Sequence, residues 1–357
     1  MISRAPGKMI LLGEYAVLEG APALVCAINR RATVRLTPRE INEFQVQSPS
    51  MGIENEPFVV TPKGHLRFNP SQEEIIRKRL VFFTRIFEYS WQYLNQKGKT
   101  LPPLTIALNT DEFYSTELGA KLGLGSSAAM AVALVYGLFK LMDRNFGLSE
   151  IYTAAYRAHY QAQGNMGSGI DIAASTFGGR LIFHMPPAQD QEPDIPQRVS
   201  AWQDLKILTI WTGKAASTRD FIMGFNRLKE EAPQTYARLI DRLSELSARG
   251  CQAYKEQNMT VFLETVRQYY AVMNDLGQES GMAIISEPHQ KAAQEAEQLG
   301  LAYKPSGAGG GDIGMAFGND PEQLAAFSVK MQQSGFTPLD IQVSNEGVEI
   351  LEDEPDV

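Results

Sequence analysis

Residues 123–143 read GLGSSAAMAVALVYGLFKLMD. A Gly-Leu-Gly-Ser-Ser loop runs straight into an apolar stretch with no Pro, and no further Gly until Gly137. Glycines let a backbone come close to an oxyanion. A helix that begins directly behind them turns free N–H groups, and the positive end of its dipole, toward the same point. Ser127, at the end of the loop, carries a hydroxyl suited to a Mg²⁺ that bridges phosphates. This is not a Walker loop, because G-x-x-x-x-G-K-[ST] is absent. Taken alone, the segment reads equally well as a Gly-Ser turn capping a buried helix.

Two other glycine-bearing segments raise the same question. Gly307-Ala308-Gly309-Gly310-Gly311-Asp312 is costly in folding entropy. The apolar residues Ile313–Phe317 follow at once, which favours a tight loop against a ligand or another backbone over a linker. Near the start, Ala5-Pro6-Gly7-Lys8 precedes an apolar run and then Gly13-Glu14-Tyr15. Lys8 reads as a solvated surface group or as a cation over a transferring phosphoryl group. Asp171, behind Gly167-Ser168-Gly169-Ile170, reads as a helix cap or as a carboxylate facing the same pocket. Lys121 lies two residues before the Gly123 loop. Lys214 and Arg219 flank Ala215-Ala216-Ser217-Thr218, where Ser217 and Thr218 could cap a helix and the basic pair could hold an anion. His65, His159, His184 and His289 show no metal-ligand spacing and read as structural or exposed. No G-x-S-x-G elbow is present, so a hydrolase has no local support.

The 357 residues are 44% hydrophobic and 21% charged, enough for two ordinary domains with a real core. The net charge of −8 disfavours general nucleic-acid binding. The only cysteines, Cys26 and Cys251, form no metal pair or disulfide framework, which suits a reducing cytoplasm. The N-terminus does not read as a signal peptide, and no run of about eighteen apolar residues suggests a membrane span. Strands are expected at 9–12, 23–28, 32–37, 44–46 and 104–108, and near 205–212 and 336–342. One long helix is expected over SQEEIIRKRLVFFTRIFEYSWQYL, with Ser71 as its N-cap. Further helices are expected at 148–162, from Asp171, and at 217–230, 233–257, 259–276, 288–299 and 321–334. The Pro- and acid-rich PPAQDQEPDIP, residues 186–196, is the linker candidate, dividing the chain into 1–195 and 196–357. The acidic tail EDEPDV reads as frayed.

Taken in order, Pro6-Gly7-Lys8 with Gly13-Glu14-Tyr15, Gly123–Ser127 with Ala128-Ala129, and Gly307–Asp312 resemble the three motifs of the GHMP kinases, over nearly the whole chain. Within that family, AHYQAQGNMGSGIDIAAS (158–175), WTGKAAST (211–218) and Asp312 behind its glycines are most similar to phosphomevalonate kinases. Mevalonate kinases tend to carry a magnesium-binding Glu shortly before the Asp matching Asp171, whereas Tyr160–Gln163 holds no acid. The resemblance implies a two-domain α+β fold. Residues 1–195 would be an ATP-binding α/β domain with a left-handed β-α-β unit, and 196–357 a ferredoxin-like domain, with ATP between them. General handedness rules alone would give the opposite crossover.

The resemblance also implies a phosphotransferase using ATP and Mg²⁺, with 5-phosphomevalonate as acceptor. Mevalonate or another small alcohol is the alternative acceptor, a related decarboxylase shares the fold group, and a non-catalytic metabolite sensor is the reading from a different class. Lys8 and Asp171 would be catalytic. Lys121, Gly123, Leu124, Gly125, Ser126, Ser127 and Ala128 would hold the nucleotide, with Ser127 on Mg²⁺. The acceptor would meet Lys8, Glu14, Tyr15, Ser168, Gly169, Lys214, Ser217, Thr218, Arg219, Gly307, Ala308, Gly309, Gly310 and Asp312. The expected partners are ATP and a phosphorylated small molecule, with no nucleic acid and no membrane, and the chain would act in the cytoplasm as a monomer or homodimer.

Overall fold

The structure, a computed structural model, describes residues 1–186, 191–213 and 218–351, with 218–220 and 222 described by backbone alone. The first part of the chain forms β1 (Ile2–Leu12), β2 (Ala23–Pro38), β3 (Phe44–Ser48), β4 (Ile53–Val60) and β5 (Leu66–Arg67). Then come α1 (Glu73–Arg79), α2 (Val81–Gln96), β6 (Leu104–Asn109) and a small hairpin of β7 (Tyr114–Ser115) and β8 (Ala120–Lys121). Next follow α3 (Ser126–Met142), α4 (Leu148–Ala162), α5 (Ile170–Phe177), β9 (Arg180–Phe183) and β10 (Gln197–Val199).

These strands make one sheet in the order β10-β9-β2-β6-β3-β4-β5, with β1 laid antiparallel on β2. Among the described strands β3 and β6 are the parallel pair, joined by a connection that carries α1 and α2. α3 is apolar on all sides and is buried between the sheet and its neighbouring helices. Its glycine has a packing reason. A Cβ at Gly137 would sit 2.7 Å from Ser3 Oγ, which donates to Ala133 O at 2.7 Å.

The second part forms β11 (Lys206–Trp211), α6 (Thr218–Glu231), α7 (Pro233–Lys255), α8 (Met259–Ser280) and α9 (Glu287–Gln298). It ends with β12 (Ala302–Pro305), β13 (Ile313–Gly318), α10 (Pro321–Gln333), β14 (Thr337–Leu339) and β15 (Glu349–Leu351). Its sheet runs β12-β13-β11-β14, antiparallel throughout. That strand order, with helices between β11 and β12 and between β13 and β14, is the expected ferredoxin-like pattern. Ile210, Tyr303, Phe327 and Met331 fill a small core between this sheet, α9 and α10. The larger core spans the first sheet and continues into α7 and α8.

Several expectations need correction. The helix expected over residues 71–94 is two helices, broken at Leu80. Ser71 does not cap it. Its N–H and its hydroxyl both donate to Asn69 Oδ1, a local turn that competes with helix entry, and the cap position is Gln72. The two strands expected at 23–28 and 32–37 are the single strand β2. The helix at Asp171 starts at Ile170 behind Gly169, which takes the left-handed cap, so Asp171 lies inside the first turn. β10 adds to the edge of the first sheet after the linker candidate, and β15 returns the end of the chain to β1. The tail 352–357 lies outside the described residues.

Candidate active site

α3 begins where Gly125, at φ 82°, turns the chain into the helix, and Gly123, at φ 71°, precedes it. Both are left-handed conformations that glycine adopts without cost. The loop is pressed against β1. Lys8 N donates to Leu124 O at 2.9 Å. A Cβ at Gly7 would lie 2.5 Å from Leu124 O, and one at Gly125 would lie 3.1 Å from Lys8 Cγ. The Lys8 side chain therefore runs directly over the start of α3. Ser126 is buried and Ser127 partly exposed at that mouth.

The other two glycine segments close on the same place. Glu14 lies behind the end of β1 and is buried. Its Oε1 accepts from Lys304 Nζ at 2.5 Å and from Gly307 N at 3.2 Å. Tyr15, at φ 63°, donates its hydroxyl to Ala308 O at 2.5 Å. Burial first, and the Glu14 charge second, push its phenol far above the ordinary range. Ser306 adds two bonds, its Oγ donating to Ile10 O and accepting from Ile10 N, each at 3.1 Å. At the far end of the loop, Asp312 takes φ 53° and its side chain lies on Gly123, where a Cβ would meet Asp312 Cγ at 2.5 Å. Lys121 reaches solvent beside it. Desolvation at the crowded mouth lowers the Lys121 ammonium, and the Asp312 charge opposes that.

Asp171 stands at the start of α5, with Oδ1 accepting from Ile172 N at 2.9 Å. Ser168 is buried just before it and accepts from Ile170 N at 3.4 Å, while Gly169 leaves no room for a Cβ against the Tyr156 ring. Between α5 and α3 sits His159. Its Nε2 lies 3.4 Å from Ser127 Oγ. Burial pushes its imidazole below the ordinary range, and the Asp171 charge opposes this. Ser127, His159 and Asp171 thus form one neighbourhood across two helix N-termini.

The structure therefore brings Lys8, the Gly123–Ala128 segment, Glu14, Tyr15, Gly307, Ala308 and Asp312 together, with Asp171 and Ser168 on the α5 side. On the side where a Cβ would stand, Gly309 meets Ile284 and Gly310 the Phe221 ring. Lys214 and Ser217 lie outside the described residues, and Thr218 and Arg219 open α6 by backbone alone. Two residues of this neighbourhood escaped the sequence reading. His159 carries no spacing signal of its own. Lys304, fully buried, looks like a surface lysine beside a strand, and only its place two residues before the Gly307 loop's serine-glycine entry hints otherwise. Among the described residues no group of three or more His, Cys, Asp or Glu could hold a metal ion, and no helix is long and apolar enough to cross a membrane.

Comparison with known proteins fits this geometry. Residues 86–179 match the family model "GHMP kinases N terminal domain". A phosphomevalonate kinase of Streptomyces sp. (strain CL190) is 26% identical over 376 residues, covering 98% of this chain and 98% of that protein. A mevalonate kinase of Pyrococcus abyssi is 24% identical, covering 99% and 98%. The structure of Streptococcus pneumoniae phosphomevalonate kinase in complex with phosphomevalonate and AMPPNP superposes with a TM-score of 0.79 at 19% identity, over 96% of this chain and 99% of that one.

Proposed function

We propose that this chain, a GHMP kinase by fold and by its N-terminal domain, transfers the γ-phosphoryl group of ATP to the 5-phosphate of phosphomevalonate. One observation carries the reading: three glycine segments, far apart in sequence, meet around Lys8 and the N-terminus of α3. A bland scaffold has no need of such a convergence of φ-positive backbone on one cation. The full-length similarity to phosphomevalonate and mevalonate kinases supports the same class of reaction.

In the reaction an acceptor-phosphate oxygen forms a bond to the γ-phosphorus, the bond from that phosphorus to the β–γ bridging oxygen breaks, and ADP leaves with the electron pair. Such catalysis is mostly positioning and charge stabilisation. The first turn of α3 and the Gly123–Gly125 backbone hold the nucleotide phosphates with their N–H groups. Lys8 stabilises charge on the group in transit. An acceptor phosphate has its second pKa near 6, so it is largely dianionic at neutral pH and needs no strong base. Asp171 then orients its surroundings rather than removing a proton. Lys121 offsets the repulsion between two polyanions.

Mg²⁺ fits the donors available. Ser127 offers a hydroxyl and Asp171 one carboxylate, a sparse set that suits an ion which keeps several waters and takes phosphate oxygens. When bound, it supplies charge neutralisation on the phosphates.

The competing acceptor is mevalonate, because mevalonate kinases match at nearly the same identity. ADP release from Mg·ATP decides between them, with phosphomevalonate, mevalonate, diphosphomevalonate, homoserine and galactose as acceptors. Turnover with phosphomevalonate alone is expected. Preference for mevalonate would overturn the acceptor and make Asp171 the candidate base for its hydroxyl proton. Ligand binding without turnover of any acceptor would point to a sensor.

A further inference from the structure

Lys304 lies on β12, outside all three glycine segments, and is fully buried. Its ammonium donates to Glu14 Oε1 at 2.5 Å and to Pro305 O at 2.7 Å. Glu14 is equally buried, and Oε2 finds no hydrogen-bond partner among the described residues. A buried ion pair with an unsatisfied oxygen is a poor stabiliser, since desolvating both charges consumes most of their attraction. Its position suggests another use. The same Oε1 that receives Lys304 also receives Gly307 N–H, the first amide of the third glycine segment.

That segment is held in two halves. Its Asp312 end is anchored by Thr212, whose N–H and Oγ1 both donate to Asp312 O, and by His289 Nε2 donating to Gly311 O. Its Gly307–Ala308 end hangs on residues behind β1: Glu14 through Gly307 N, and Tyr15 through Ala308 O. We propose that Glu14, seated by Lys304, is a positioning residue: its carboxylate is the acceptor for Gly307 N–H and so sets where the Gly307–Ala308 end stands for the phosphate acceptor. Glu14 stands behind the end of β1 and Lys304 on β12, so the pair links the two sheets at this point.

The proposal rests on the kinase reading only for its kinetic arm. Lys304→Met alone would strand a buried carboxylate, so the decisive pair is two neutral double variants. E14Q/K304M keeps an acceptor for Gly307 N–H, and E14A/K304M removes it. With the link worth one hydrogen bond, the KM for the acceptor in E14A/K304M should be roughly fivefold to tenfold above that in E14Q/K304M. The KM for ATP should be the same in both, because the Asp312 end keeps its own anchors. In ligand-free protein, the amides of Gly307 and Ala308 should exchange hydrogen faster in E14A/K304M than in E14Q/K304M. Equal acceptor KM together with equal exchange in the two double variants would overturn the proposal and leave the pair as packing only. If wild-type protein turns over none of the acceptors, the kinase reading fails, and the exchange comparison still decides this one.

Discussion

Lys8 is the residue that the proposed chemistry most depends on, and its surroundings make it testable. Its backbone N–H holds Leu124 O and its stem lies over Gly125, so a methionine can keep both the strand and the packing. Lys8→Met should lower kcat by about 10²–10³ while leaving the unfolding midpoint and the KM for ATP nearly unchanged, as removal of a charge-stabilising group does. Full activity in that variant would remove Lys8 from the chemistry. Gly125→Ala tests the neighbouring backbone. At φ 82°, with Lys8 Cγ 3.1 Å from the new Cβ, it should cost about 1–2 kcal/mol and weaken ATP binding; urea unfolding and nucleotide titration read the two effects. At this scale the glycine segments were legible because positive φ and close approach are glycine's own signature. Lys304 and His159 were not. A buried lysine and a buried histidine differ from exposed ones only in what surrounds them, and their partners, Glu14 and Ser127, are far away in sequence.

Elements were legible where burial followed a simple period, and misread where two physical rules met in one segment. β1 was expected to begin at Met9, yet it starts at Ile2 and carries Pro6 and Gly7. Both residues disfavour a strand interior, but the pairing with β2 shifts register between Pro6 and Lys8, and that bulge accommodates them. β12 was missed because its lysine breaks the apolar pattern that a buried strand should show. This strand and α9 also meet through His289, which gives a prediction at the same scale. His289 Nε2 donates to Gly311 O at 3.0 Å, and with the ring neutral Nδ1 accepts from the Tyr303 hydroxyl at 2.8 Å. Burial, chiefly, lowers its pKa from 6.5 to about 4. The unfolded chain therefore binds a proton that the folded chain refuses as pH falls below 6.5. Stability from this site is constant above that pH and is lost through the window from 6.5 to 4. His289→Gln should be less stable than wild type at pH 7. The gap should narrow by about 2 kcal/mol by pH 5 in urea unfolding, because the glutamine has no proton to refuse. A gap that stays constant or widens with acid would contradict this.

Over the whole molecule, the two-part architecture follows from the order of strand and helix patterns, but the path of the last residues does not. The chain leaves β14 of the second sheet and crosses back to the first. Gly179 N donates to Ser344 O, Ser344 N to Ala27 O, and β15 pairs with β1. No local pattern announces this, since short strands with mixed burial look like any exposed tail. Arg31 explains how the return is held. Its guanidinium donates to Gly347 O at 3.0 Å, to Ser344 Oγ at 2.9 Å and to Glu346 O at 3.1 Å, and pairs with Glu349 at 3.0 Å. These partners are two carbonyls, a hydroxyl and a carboxylate on one strap, reached by a planar fork of donors that lysine could not reproduce. The strap also covers Gly178, where a Cβ would meet Gly347 N at 2.3 Å. Arg31→Met should therefore lower stability by about 1.5–3 kcal/mol, through acceptors left half-buried rather than through the exposed part of the ion pair. Arg31→Lys should recover less than half of that loss. Because the strap bonds to β1, β2 and the end of α5 and, among the described residues, makes no hydrogen bond to the Lys8 side chain or to the first turn of α3, kcat and both KM values should stay within about twofold where the variant is folded. Unfolding midpoints beside kinetics at a temperature well below them test both halves. A kinetic loss without a stability loss would mean that the return segment takes part in substrate binding rather than in fastening the chain.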